Sequence, residues 1–264
     1  MRTLKLNASA DALKLAVAVF EPEGKPKAIF QIVHGMAEHK ERYYGFMEYL
    51  ASQGYIAVIH DQRGHGESVL SPDDLGYMYE GGWQAMVEDV KVVQDWAKAE
   101  YPDLPAVLFG HSMGSMVVRS FAKRYDSSIS HLIVCGCPSD NPAKGVGRAL
   151  TRLIGFVRGG HFRPASINRM SFGAYNKNFK GEGPVAWLSK NTDNQQAYMK
   201  DPLCGYCFTA NGFDALLGVM QDCYSSKGWS AANPSLKVLF ISGAEDPCRV
   251  DDKAFAKAVE FMRQ

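Results

Sequence analysis

The chain has 264 residues, 46% hydrophobic and 22% charged, the balance of a globular protein with a sizeable core. A formal net charge of +1 excludes the basic footprint of a nucleic-acid partner and offers nothing to a strongly acidic one. No run approaches the ~18 apolar residues of a membrane span, and Met-Arg-Thr-Leu-Lys-Leu-Asn at the start lacks the apolar core of a secretory signal, so a soluble cytoplasmic protein is expected. In that compartment the six cysteines are reduced thiols, and Cys204-Gly-Tyr-Cys207, with no second pair, makes a poor metal or redox motif.

Residues 4–6 and 13–20 read as two antiparallel strands, followed by a polar turn over 21–27. Residues 28–33 are a short apolar run ending at His34-Gly35, the pattern of a strand buried on both faces. A helix is predicted over 43–53, stopped by Gly54, and a second buried strand over 56–59 leads into the loop Asp61-Gln62-Arg63-Gly64-His65-Gly66-Glu67-Ser68. Trp83, Met86, Val87, Val90, Val93 and Trp96 recur at helical spacing across 82–99. Strands follow over 106–109 and 129–135, separated by a helix carrying Met116, Val117, Val118 and Phe121. Buried strands alternating with helices predict an α/β fold: a mostly parallel sheet flanked by helices, with the chemistry in loops at the strands' carboxyl ends.

From about residue 138 to 233 the buried-strand runs disappear, and helical segments over 145–157, 165–175 and 213–223 replace them. Residues 236–242 then resume a buried strand, and 253–263 form a last helix. The expected organisation is a core over 1–137, a helical cap insertion over 138–233, and a second part of the core over 234–264. Arg148, Arg152, Arg158, Arg163 and Arg169 share no helical face, so they read as solvated cations and not as an anion site.

The chemistry centres on Gly110-His111-Ser112-Met113-Gly114, a G-x-S-x-G between an apolar strand and an apolar helix. This is the pattern of a nucleophile elbow, whose glycines permit a strand-to-helix turn too tight for side chains. It exposes the Ser112 hydroxyl and presents the N–H of Met113 as one oxyanion donor. The second donor is expected after the strand ending at Val33, which makes Met36, following His34-Gly35, the candidate. An acid is expected after a later strand, and Asp246 in Gly243-Ala244-Glu245-Asp246-Pro247 stands there; its structural alternative is a turn or N-cap aspartate. The histidine of the Ser…Asp…His order should follow Asp246, yet all seven (His34, His39, His60, His65, His111, His131, His161) precede it.

Together with His34-Gly35-Met36-Ala37-Glu38-His39, Arg42-Tyr43 and the 61–68 loop, these motifs resemble the monoacylglycerol lipase and lysophospholipase group of α/β hydrolases. That group is also catalogued with the serine aminopeptidase-like hydrolases. The resemblance implies the α/β-hydrolase fold with a cap, a carboxylester hydrolase working through an acyl-enzyme, no cofactor, no metal, and a small acyl ester or lipid-like substrate. It implies Ser112 and Asp246 as catalytic residues, Met36 and Met113 as the oxyanion hole, and Glu38, Arg42, His34 and Gly35 as substrate-binding positions. It further implies one more strand, a histidine-bearing loop and a closing helix, against which this sequence looks cut short. Without that strand, residues 236–242 would be an exposed apolar edge open to self-association.

Two other readings stay open: an amidase or aminopeptidase of the same fold, and a non-catalytic ligand-binding homologue lacking the base. Phe156, Phe162, Phe172, Trp187, Phe208 and Phe213 suit an acyl chain, although for most of them aromatics at such spacings read first as packing within the cap.

Overall fold

In a computed structural model that describes residues 1–263, seven strands form one sheet in the order β1-β2-β4-β3-β5-β6-β7. β1 (Arg2–Asn7) and β2 (Lys14–Phe20) pair antiparallel, and β2 pairs antiparallel with β4 (Tyr55–His60). From β4 onward, β3 (Ala28–Val33), β5 (Ala106–His111), β6 (His131–Cys135) and β7 (Lys237–Ile241) run parallel. Every residue of β3 is buried, as its unbroken apolar run requires at the centre of a covered sheet. This is the expected α/β-hydrolase fold, and parallel pairing carries the ends of β3, β5, β6 and β7 to one edge.

One face of the sheet is covered by α2 (Gly82–Glu100) and α3 (Met113–Tyr125), whose Val90, Val93, Met116, Val117 and Phe121 join Ile29, Val33 and Leu108 in the main core. The other face is covered by α1 (Tyr44–Ser52), where Met47 and Leu50 pack on Phe30, Ile32 and Ile59. Beyond α1 that face is open. Phe30, Tyr55, Val107, Ile133 and Leu239 line an apolar groove of about 410 Å³, and Leu239 and Ile241 of the edge strand β7 are 54% and 51% exposed.

Between β6 and β7 lie α4 (Lys144–Arg158), α5 (Ala165–Phe172), α6 (Thr192–Lys200) and α7 (Ala210–Cys223). α7 packs against α4 and also against α2 and α3, with Phe213 and Val219 in the main core. The arginines are less idle than the sequence suggests: Arg148 and Arg152 both bind Asp214, tying α4 to α7. α8 (Asp252–Arg263) follows β7. No helix among the described residues is long and apolar enough to cross a membrane.

Candidate active site

Ser112 sits where β5 turns into α3, at φ 53° and ψ −117°, a left-handed conformation costly for a residue with a side chain. The turn is as cramped as its glycines imply. A Cβ on Gly114 would lie 2.1 Å from the Val33 carbonyl oxygen, and one on Gly110 would lie 2.4 Å from that of Gly114. Sheet pairing continues into the turn: Ser112 N–H donates to Cys135 O at 2.9 Å, and Gly136 N–H to Ile241 O at 2.9 Å. Met113 is the first residue of α3, so its N–H has no intrahelical acceptor.

Across from the serine is the turn after β3. Gly35 lies so close that a Cβ there would be 3.3 Å from the Ser112 Cβ. The His34 carbonyl accepts from Gln62 Nε2 at 2.6 Å, and Gly35 N–H donates to Glu38 Oε1 at 2.6 Å. Gln62 N–H donates to His34 Nε2 at 2.9 Å. A backbone N–H can only donate, so the imidazole proton sits on Nδ1 and is given to Gly35 O at 2.8 Å. Burial keeps this ring neutral and lowers its pKa to about 4, against the pull of Glu38. The Met36 N–H, by contrast, has no protein acceptor among the described residues.

Glu38 is 7% exposed, and its carboxylate is occupied from several sides. Besides Gly35 it accepts from Tyr43 OH at 2.9 Å and Arg42 Nε at 3.0 Å, with His111 Nδ1 3.4 Å away. Burial alone would raise its pKa; the bond and charge of His111, with His34 and Arg42, outweigh burial and hold it well below the usual carboxylate range. The positions that resemble substrate contacts, His34, Gly35, Glu38 and Arg42, are thus bonded largely to one another and to their own turn.

Asp246 follows β7 as expected and is half-buried. Oδ1 accepts from Cys248 N–H at 2.8 Å, the N-cap role that an Asp-Pro can play, while Oδ2 accepts from Ser242 Oγ at 3.1 Å. Gly136 lies between it and the elbow: a Cβ there would be 3.2 Å from His111 Nε2 and 3.5 Å from Asp246 Oδ2. Burial opposes charge on His111, but Glu38 and then Asp246 raise its pKa.

No imidazole among the described residues accepts from Ser112 Oγ. His34 is spent on the turn, and His39 bonds Glu41 and Asp201. His60 is buried with neither nitrogen paired, and His65 bonds Arg63 O. Nδ1 of His111 faces Tyr43 and Glu38. His131 is beside Ser130, and His161 is stacked on Tyr77.

The 61–68 loop is a brace. Asp61 accepts from Lys40 N–H at 2.7 Å and pairs with Lys40 Nζ at 2.9 Å. Arg63, fully buried, bonds Asp89 of α2 through Nε and Nη2, at 2.7 and 3.1 Å. Sequence reading missed the junction between this turn and the segment 198–205. Gly205 N–H and Tyr198 OH both donate to Ala37 O, at 2.9 and 3.3 Å, and the Arg42 guanidinium lies over the Tyr198 ring. His39 Nε2 meets Asp201 at 2.7 Å, with Cys204 beside it. His39, Asp201 and Cys204 have ligand atoms within 4.8 Å of one another, the spacing of a metal site. Burial disfavours charge on His39, yet bonds to Cys204, Glu41 and Asp201 raise its pKa to about 11. A held proton competes with a metal for the same nitrogen. Of the aromatics considered for an acyl chain, Phe208 and Phe213 are sealed in the core and Phe156 is 90% exposed.

Comparison with known proteins bears on the family and the fold. A model of the serine aminopeptidase, S33, family of hydrolases matches residues 24–261. Monoacylglycerol lipase of Mycolicibacterium smegmatis is 29% identical over 240 residues, 90% of this chain and 77% of that one. Monoglyceride lipase of Mus musculus is 29% identical over 201 residues, 74% of this chain and 58% of that one. Among solved structures, an open-form lipase superimposes with a TM-score of 0.88 at 20% identity, over 99% of this chain and 86% of that one. Monoglyceride lipase of Saccharomyces cerevisiae, solved with a substrate analogue, gives 0.65 at 14% identity, over 97% and 92%. These structural likenesses speak for the fold, and the family match, which spans most of the sequence, speaks for descent: the chain belongs to the serine aminopeptidase, S33, family of α/β hydrolases.

Proposed function

We propose that this protein is a serine hydrolase of carboxylic esters, acting on a monoacylglycerol, lysophospholipid or similar acyl ester through an acyl-enzyme on Ser112. The observation that carries the reading is the strained elbow, with the helix-initiating N–H of Met113 on one side and the turn bearing Met36 on the other. Ser112 Oγ attacks the acyl carbon while an imidazole base takes its proton; the described residues do not place that base, and free imidazole can supply it. The carbonyl oxygen takes up negative charge facing the N–H groups of Met36 and Met113. Such donors are each worth about 10²–10³-fold in rate. Collapse expels the alcohol, which takes the proton back from that imidazolium, and water, giving a proton to the same base, then attacks the acyl-enzyme to release the acid and restore the Ser112 hydroxyl. Asp246, at the carboxyl end of β7, is the acid that would orient and balance the imidazolium of such a base.

The relatives named monoacylglycerol lipase and monoglyceride lipase support ester cleavage. Amide or peptide cleavage is the second reading, favoured by the aminopeptidase name of the family. Residues 138–233 form the cap in this scheme, a role supported by Tyr198, Asp201 and Gly205 meeting Ala37, His39 and Arg42 beside the site. The exposed apolar strand β7 supports self-association through that sheet edge.

The proton of Ser112 needs a base, and none of the seven histidines is placed to take it. The 264 residues alone are therefore expected to turn over a p-nitrophenyl butyrate slowly, and free imidazole is expected to accelerate that turnover at least tenfold in a Ser112-dependent way. Hydrolysis measured with and without imidazole, on the parent and on Ser112→Ala, tests this. Acceleration that persists in Ser112→Ala removes the nucleophile assignment, and no Ser112-dependent turnover at any imidazole concentration favours a ligand-binding role.

A further inference from the structure

Where α6 ends, three side chains carry donors that neither the elbow nor Asp246 uses. After Lys200 the chain turns sharply over Asp201-Pro202-Leu203-Cys204: Cys204 N–H donates to Asp201 O at 3.0 Å, and Leu203 N–H to Asp201 Oδ1 at 2.8 Å. A turn closed from its first residue to its fourth draws its two ends together, and here those ends carry a carboxylate and a thiol. Oδ1 is spent on the turn, which leaves Oδ2 for His39 Nε2, 2.7 Å away. The other imidazole nitrogen, Nδ1, faces Glu41 Oε2, and Lys40 Nζ holds that carboxylate through Oε1 at 2.6 Å. Carboxylates only accept, so with one on each side the ring carries both protons. The cations nearby are already paired, Lys40 with Glu41 and Arg42 with Glu38. His39 is 5% exposed, whereas Asp201 and Cys204 are half-buried, so the cluster is reachable from solvent. The ligand atoms of His39, Asp201 and Cys204 all lie within 4.8 Å of one another.

We propose that these three residues form a binding site for a thiophilic divalent cation of the Zn²⁺ or Co²⁺ kind, held by His39 Nε2, Asp201 Oδ2 and Cys204 Sγ. Imidazole nitrogen, thiolate sulfur and a single carboxylate oxygen are the donors such ions select, whereas Mg²⁺ and Ca²⁺ take oxygen alone. Glu41 takes the outer position, because a metal-bound imidazole gives its second N–H to a carboxylate that fixes the ring and its tautomer. The exchange is balanced in charge. The cation displaces the Nε2 proton and the thiol proton, so two positive charges enter as two protons leave for the solvent, and Asp201 stays ionised throughout. The ion joins the segment 39–41 to the segment 198–205, across 162 positions of sequence. The Cys204-Gly-Tyr-Cys207 spacing plays no part, since Cys207 Sγ–H donates to Phe208 O at 3.4 Å and the partners of Cys204 lie elsewhere in the chain. The site is independent of Ser112 and of the ester-hydrolase reading.

The test titrates the reduced, chelator-treated chain with Co²⁺ and then with Zn²⁺, following absorption and thermal melting. The parent is expected to bind one Co²⁺ with a thiolate-to-cobalt band in the near ultraviolet, and Zn²⁺ should displace it and raise the melting temperature. Cys204→Ala should abolish that band, and His39→Ala and Asp201→Ala should each weaken Co²⁺ binding about 100-fold. Cys207→Ala and Ser112→Ala should bind as the parent does. A parent without the thiolate band overturns the proposal, and so does a band that survives in Cys204→Ala or disappears in Cys207→Ala. Zn²⁺ stabilisation of equal size in the parent and in Cys204→Ala assigns the ion to another part of the surface and overturns it as well. If His39→Ala does not melt cooperatively, Asp201→Ala and Cys204→Ala, which remove half-buried side chains, decide.

Discussion

At the residue scale, burial divides the histidines into two electrostatic classes. His34, His60 and His65 are sealed in the core, and burial lowers their pKa values to about 4, 3 and 3. The unfolded chain binds protons on these imidazoles below about pH 6.5, while the folded chain does not. The stability they permit is therefore complete above pH 6.5 and is lost as pH falls toward 4. His39 has the opposite sign. Raised to about 11, it contributes fully below pH 6.5 and its contribution declines as pH rises toward 11. Urea midpoints should therefore fall from pH 6.5 to pH 4, and His60→Leu, which removes a buried ring with both nitrogens unpaired, should flatten that fall by one proton's worth, about 1.4 kcal/mol per pH unit. A midpoint independent of pH over that range contradicts this picture. Ser112, Met113, Met36 and Asp246 were all legible as candidates because each belongs to a short motif next to a strand end. The partners of Glu38 and the meeting of His39 with Asp201 were not, since a contact across 162 positions leaves no mark on local spacing.

At the element scale, apolar patterning located all seven strands and the long helices: β2 to β4 bury most of their residues and β5 and β6 every second one, while β1 and β7 were legible from their apolar residues although they lie largely exposed at the two sheet edges. α6 escaped detection: Thr192–Lys200 has a polar surface nearly all round, and its visible signal is the cap Asn191, which accepts from the N–H groups of Asp193 and Asn194. α7 begins at Ala210, three residues ahead of the expected start, because Thr209 caps it through the N–H of Gly212. β7 carries the element-level consequence. Its outer edge is unpaired among the described residues; Leu239 lines the open groove with Ile133, and Ile241, two residues further on, is likewise exposed. Sedimentation velocity at rising concentration should show the parent associating and Leu239→Lys/Ile241→Lys shifted to monomer. A parent that stays monomeric throughout removes the edge-pairing proposal.

At the scale of the whole molecule, the sheet gathers distant pieces of sequence at one edge. β3 delivers the turn with Met36, β5 the elbow, β6 Gly136 and β7 Asp246, while the 61–68 loop and the segment 198–205 hold the turn from two sides. Chain order alone predicted this convergence, because parallel strands place their carboxyl ends together. What it did not reveal is that much of the polar chemistry near the serine is spent on fixing backbone. That allocation suits an enzyme whose rate depends on fixed dipoles more than on flexible contacts. The most direct measurement of the central claim is covalent: incubation with a fluorophosphonate, followed by peptide mass spectrometry. The account predicts a single phosphonyl adduct on Ser112, absent from Ser112→Ala; labelling elsewhere, or none at Ser112 even with imidazole present, would contradict it.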